Sequence, residues 1–221
     1  MIISIIALPT GALAQISGTR HNLASGSADA GTINATSETQ ICIFCHTPHQ
    51  AATDQNSIWN RGNPTATTYT WGSATPTAAG TALPSAIGAG SMKCFSCHDG
   101  TSAIGQVLNA GGGAAGTIAF PAGQTTMSAG YTVNNAAMAG NHPVSVTYPG
   151  SAGAYNTASV TTATGYVAPA SVTAVKLYTD AENDYGVECG SCHEPHGAGG
   201  NAYLLRDVTA GSAICLKCHT K

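Results

Sequence analysis

Every cysteine in this chain belongs to a Cys-x-x-Cys-His motif. There are four, numbered along the chain: Cys42-Ile-Phe-Cys45-His46, Cys94-Phe-Ser-Cys97-His98, Cys189-Gly-Ser-Cys192-His193 and Cys215-Leu-Lys-Cys218-His219. The spacing is that of covalent c-type haem attachment, in which two thiols add to the vinyl groups of one porphyrin and the adjoining histidine reaches its iron. Four histidines lie outside the motifs: His21, His49, His142 and His196. Four six-coordinate irons would need four further axial ligands, so the count closes. The expected chemistry is electron transfer.

Two other chemistries use paired cysteines. Structural zinc sites need the cysteine pair but leave the next residue free. Here histidine follows all four times, although it is only 8 of 221 residues. A disulfide framework would suit eight cysteines in an exported chain, but it leaves the histidines without a role. Covalent haem accounts for both residue types, and four haem c groups are the expected cofactors.

Motifs 1 and 3 extend alike, as Cys45-His46-Thr-Pro-His49 and Cys192-His193-Glu-Pro-His196. A histidine three residues past the proximal one cannot reach the far face of the same porphyrin, because the ring intervenes. If His49 and His196 bind iron, each must cap a different haem from its own, which draws two rings together. His142, in Asn141-His-Pro-Val-Ser145, precedes an expected strand and could be held rigidly toward an iron. His21 lies near the expected mature N-terminus. Methionine would be the alternative sixth ligand. Past the first residues only Met92, Met127 and Met138 remain, and the histidines already suffice. Four bis-histidine, low-spin haems are expected, with the pairing of distal histidines to irons left open.

The elements that must position these ligands are small. Charged residues make up 8% of the chain and aromatic residues 6%, against about 25% charged in an ordinary domain. Side chains this poor in Leu, Ile and Phe do not build a usual core, so the porphyrins are expected to supply it. The fold class is a multihaem cytochrome c, mostly coil, with short helices of a turn or two at the motifs and a few short strands. Residues 144–148 and 172–178 alternate like strands. Haems 1 and 2 fall within 42–98 and haems 3 and 4 within 189–219. The motif-free insert, 101–185, has the composition of a linker.

Residues 1–14 read as a truncated secretory signal, apolar and ending in Ala12-Leu13-Ala14 but lacking the usual positive start. The mature chain, 15–221, is then one exported domain, and it contains no apolar run long enough to span a bilayer. The formal charge of −3 becomes more negative once haem propionates are added. The few Lys and Arg are scattered, which argues against a nucleic-acid partner. Asp180, Glu182 and Asp184 could hold a cation, although they lack the EF-hand spacing and read more simply as a solvated acidic turn.

Several segments resemble exported multihaem cytochromes: His21-Asn-Leu, Cys42 to His49, Trp59-Asn-Arg61, Thr68-Tyr-Thr70, Cys94 to Thr101, Asn141 to Ser145, Cys189 to Gly197, and Leu205-Arg206 to His219. Within that group the chain is most similar to the tetrahaem cytochromes that polymerise outside the cell into nanowires. That resemblance implies bis-histidine haems in one continuous stack, with one axial histidine donated by a neighbouring subunit. Carried onto this chain, the donor in trans would be His21, in a head-to-tail filament of identical subunits. Three functions follow in order of preference. The first is an extracellular filament subunit passing electrons to partner proteins or external acceptors. The second is a monomeric periplasmic shuttle, and the third a reductase with one open iron.

Overall fold

The computed structural model describes residues 16–27, 33–53, 57–64, 69–70, 87–111, 116–133, 138, 140–149, 154–155, 158–159, 165–179, 185–198 and 200–220. The expected signal, residues 1–14, and the acidic cluster Asp180, Glu182 and Asp184 lie outside the described residues.

Most of the described chain is coil and tight turn. Helix α1, Ala89–His98, carries motif 2. It starts from extended Gly88, contains no proline, and stops at Asp99 before Gly100 turns left-handed at φ 79°. At ten residues it spans nearly three turns, longer than the one or two expected of a motif helix. Its length follows from Phe95, which is fully buried and meets Tyr69 edge-on at 4.9 Å. Helix α2, Cys189–Cys192, is a single turn holding motif 3. Glu188 opens it with a capping box: its carboxylate accepts the Ser191 amide while the Ser191 hydroxyl accepts the Glu188 amide. Motifs 1 and 4 form 3-10 turns, Cys42–Phe44 and Cys215–Lys217.

Among the described residues, seven strands of two or three residues pair antiparallel. Strands β1 (Gln106–Val107) and β2 (Gly116–Thr117) form a hairpin. Strands β3 (Val146–Thr147), β6 (Tyr178–Thr179) and β7 (Tyr185–Val187) form a sheet ordered β3-β7-β6, while β4 (Ala154–Tyr155) pairs with β5 (Ala158–Ser159). The expected strand 144–148 thus forms at its centre. The expected strand 172–178 does not: a 3-10 turn at Pro169–Ser171 precedes it and Ala174 is left-handed at φ 68°, which leaves only Tyr178 in a ladder.

Most of the buried apolar side chains among the described residues fall in two small clusters, with Ile104, Val146 and Tyr148 buried outside them. Ala35, Ile43, Phe44, Val107 and Ile118 form one, with Cys45 against it. Tyr69, Ile87, Phe95 and Met138 form the other, with Met92, Cys94 and Cys189 against it. Val107, Ile118 and Met138 come from the motif-free insert, so its described residues supply core despite their linker-like composition. The insert also holds the motifs. Ser91 on α1 donates to Glu188 Oε2 and accepts the Cys189 amide at 2.9 Å. Ser145, just before β3, donates to the same oxygen at 3.0 Å and accepts the Gly88 amide at 2.8 Å. One buried carboxylate thus joins α1, β3 and α2. No helix among the described residues is long and apolar enough to cross a membrane.

Candidate functional site: paired histidines and clamped motifs

A single backbone device recurs at three motifs. At motif 1 a return segment bridges the motif histidine: His46 pairs with Trp59, the Asn60 amide donates to Cys45 O at 2.9 Å, and the Thr47 amide donates to Ile58 O at 2.9 Å. At motif 3 His193 pairs with Leu205, the Arg206 amide donates to Cys192 O at 2.8 Å, and the Glu194 amide to Leu204 O at 2.7 Å. At motif 4 His219 pairs with Tyr166, the Val167 amide donates to Cys218 O and the Thr220 amide to Gly165 O, both at 2.8 Å. The residue facing the chain just past each motif is left-handed every time: Ile58 at φ 50°, Leu204 at 58° and Gly165 at 86°. Glycine takes that conformation freely, whereas a β-branched isoleucine is strained there.

The motifs touch one another. Cys94 of motif 2 and Cys189 of motif 3 pack against the same apolar cluster, and Ser91 on the motif 2 helix accepts the Cys189 amide. Cys45 lies within electrostatic range of Cys97, and Cys192 within range of Cys215 and Cys218. Burial pushes the Cys45 thiol up to about 12. Gly190 of motif 3 makes the closest approach in this region: a Cβ there would run into Tyr178 Oη.

Three histidine pairs then stand out. His21 faces His98 with ring centroids 6.1 Å apart, His46 faces His196 at 6.1 Å, and His142 faces His219 at 6.3 Å. Each pair joins one motif histidine to one outside the motifs. Two metal–imidazole bonds of about 2.0 Å plus the half-width of each ring put the centroids of trans imidazoles roughly 6 Å apart. The interplanar angles, 48°, 11° and 67°, differ, as rotation about a shared ligand axis allows. The remaining two, His49 and His193, are both exposed.

The ring nitrogens are arranged to match. Nδ1 of His46 donates to Ser57 O at 2.9 Å, that of His98 to Tyr131 O at 2.6 Å, and that of His193 to Tyr203 O at 3.1 Å. Nδ1 of His21 reaches Pro195 O at 3.2 Å, that of His142 reaches Pro143 O at 2.8 Å, and that of His196 reaches Glu194 Oε1 at 2.9 Å. An anchored Nδ1–H leaves Nε2 as the metal-binding nitrogen and fixes the ring. Burial, with His98 alongside, pulls the His21 pKa from 6.5 down to about 4. Burial also lowers the pKa of His98 and, with His142 alongside, that of His219. Neutral imidazole is the ligating form. Of the methionines, Met138 is buried in the second cluster and Met92 packs on it.

Each motif offers two thiols and an imidazole, and in three of them a second imidazole from outside the motifs faces the first, a set that fits covalently attached haem. Residues 183–221 match the family described as doubled CXXCH motif. The match supports a multihaem c-type cytochrome, with covalently bound haem and electron transfer as its chemistry. No curated protein matches the chain.

Several residues that hold the site are given no role by the motifs, although Asn60, Arg61 and Arg206 lie in segments that carry the resemblance. Asn60 is fully buried; its side-chain amide donates to Ile43 O and Asn109 O, and its oxygen accepts the Asn109 amide. Arg61, also buried, donates to Ser96 O within motif 2 and to Ala103 O and Ile104 O. Arg206 donates to Gly190 O within motif 3 at 2.7 Å. Tyr148 shares its hydroxyl between Val167 O and Cys218 O at motif 4. No spacing pattern reveals them, because each acts through backbone carbonyls brought close by folding.

Proposed function

We propose that the protein is an exported electron carrier with four covalently attached, bis-histidine c-type haems. Haem supplies one-electron redox chemistry; the chain attaches it, orients its ligands and holds neighbouring sites close. The thioether pairs are Cys42/Cys45, Cys94/Cys97, Cys189/Cys192 and Cys215/Cys218. The axial pairs are His46 with His196, His98 with His21, His219 with His142 and, as the remaining two, His193 with His49. The observation that carries this reading is the three mixed pairs at 6.1–6.3 Å. His49 and His196 then exchange places, each leaving its own motif to cap the other's iron.

His21 faces His98 of its own chain. That favours a carrier whose ligand sets close internally over the filament in which His21 serves a neighbouring subunit. It also disfavours the reductase, which needs an iron left open. The test uses purified holoprotein. Pyridine haemochrome should give four haems per chain, and EPR at micromolar concentration should show only low-spin ferric iron. Replacing His21 with Ala should convert one haem of four to high spin at every protein concentration. If the unaltered protein becomes high-spin on dilution, His21 acts between subunits and the filament reading returns.

A further inference from the structure

Motifs 1 and 3 carry the same extension, Cys-His-x-Pro-His, and differ inside it at one position: Thr47 against Glu194. Thr47 is buried and donates to His49 O at 2.8 Å, a purely local bond. Glu194 does something different. Its Oε1 accepts both the backbone amide of His196, at 3.1 Å, and the ring Nδ1–H, at 2.9 Å. Its Oε2 pairs with Arg206 Nη1 at 3.1 Å, and Arg206 is itself anchored on Gly190 O at 2.7 Å. The carboxylate is therefore held in place against one ring. Nδ1 of His21, His46, His98, His142 and His193 each meets a backbone carbonyl instead. Among the described residues, His196 alone has a carboxylate on its ring.

A hydrogen bond to a charged acceptor is roughly twice as strong as one to a neutral acceptor. It draws the Nδ1 proton away and makes Nε2 a better electron donor, which stabilises ferric over ferrous iron. We infer that Glu194 is a positioning residue that lowers the reduction potential of the haem held by His46 and His196, and that the Thr47/Glu194 difference sets the two exchanged haems apart. The inference rests on the four bis-histidine haems proposed above.

The experiment is a spectroelectrochemical titration of holoprotein, with potentials assigned to individual haems by NMR. In Glu194→Gln the potential of the His46/His196 haem should rise, changing its oxidised-to-reduced ratio at fixed potential on the order of tenfold, or 59 mV for one electron. The other three should move much less. Glu194→Asp keeps the negative charge but retracts it from the ring, and it should shift the same haem in the same direction. The inference is overturned if Glu194→Gln leaves that haem unchanged, if another haem carries the main shift, or if Glu194→Asp behaves as the unaltered protein. Should neither variant mature, the unaltered protein decides: in the fully reduced state the His196 Nδ1 proton should resonate downfield of the other axial Nδ1 protons. A His196 proton among the others overturns the inference. Haem count and EPR on the same samples separate this outcome from failure of the four-haem reading.

Discussion

At the scale of single residues, buried polar side chains hold the ligands more than apolar ones do. Asn60 satisfies Ile43 O, Asn109 O and the Asn109 amide with one side chain. Asn60→Ala would strand all three inside the protein, where each lost partner costs on the order of 1 kcal/mol or more. We expect the holoprotein to lose about 2–4 kcal/mol in denaturant unfolding, with motif 1 loosening first and its EPR signal broadening. Asn60→Asp should be at least as damaging, because it replaces a donor to two carbonyls with an acceptor. A loss below roughly 1 kcal/mol would show that the carbonyls find other partners.

At the scale of elements, the clamps and the α2–β6 contact carry the argument. Ile58 is left-handed and 55% exposed, so it carries backbone strain of about 1–2 kcal/mol. Ile58→Gly should leave stability within about 1 kcal/mol of the original, whereas the same change in an ordinary loop would weaken it. Equilibrium unfolding of holoprotein reads the difference. Gly190→Ala should destabilise by about 1–3 kcal/mol, since the new methyl meets Tyr178 Oη. Adding Tyr178→Phe should recover part of that loss, and a double-mutant cycle measures the recovery. Both sites show what the sequence conveys and what it does not. The motifs are legible because their chemistry is contiguous. The clamps are not: Ile58-Trp59-Asn60, Leu204-Leu205-Arg206 and Gly165-Tyr166-Val167 share a backbone path but almost no side chains. For motif 4 the clamp even precedes the motif in the chain. The strand expected at 172–178 fails for a related reason, since alternation says nothing about a left-handed turn at Ala174. The helix at motif 2 outgrows expectation because Phe95 finds Tyr69 to bury against.

At the scale of the whole molecule, the two apolar clusters of the described residues hold five and four buried side chains, and Cys45, Cys94 and Cys189 pack against them, so porphyrins attached there would enlarge both. A domain normally needs a large shared core to offset conformational entropy. Chain whose eight cysteines are replaced by alanine should show the far-UV circular dichroism of coil and no cooperative melting, while holoprotein should melt cooperatively. A cooperative transition in the cysteine-free chain would mean that the polypeptide carries its own fold. The insert, a linker by composition, supplies Val107, Ile118 and Met138 to those clusters. Gly- and Thr-rich sequence looks dispensable because its few apolar residues are spaced too widely to form a pattern. The ligand pairs are illegible for a simpler reason: nothing in a linear chain says that His46 will meet His196.

That last pairing also sets a timetable. A chain crossing a membrane from its N-terminus delivers His21 and His98 early, so motif 2 can gain both its ligands while the C-terminal half is still inside. Under the proposed ligand pairs, motif 1 would arrive first but wait for His196, and motif 3 would complete in the same stretch of delivery because His49 would already be out. Motif 4, with His142 ahead and His219 near the end, comes last. A chain stopped after Pro149 would therefore present one finished site beside one half-made site, although both belong to its older half. On that pairing the earliest motif to emerge would be among the last to mature.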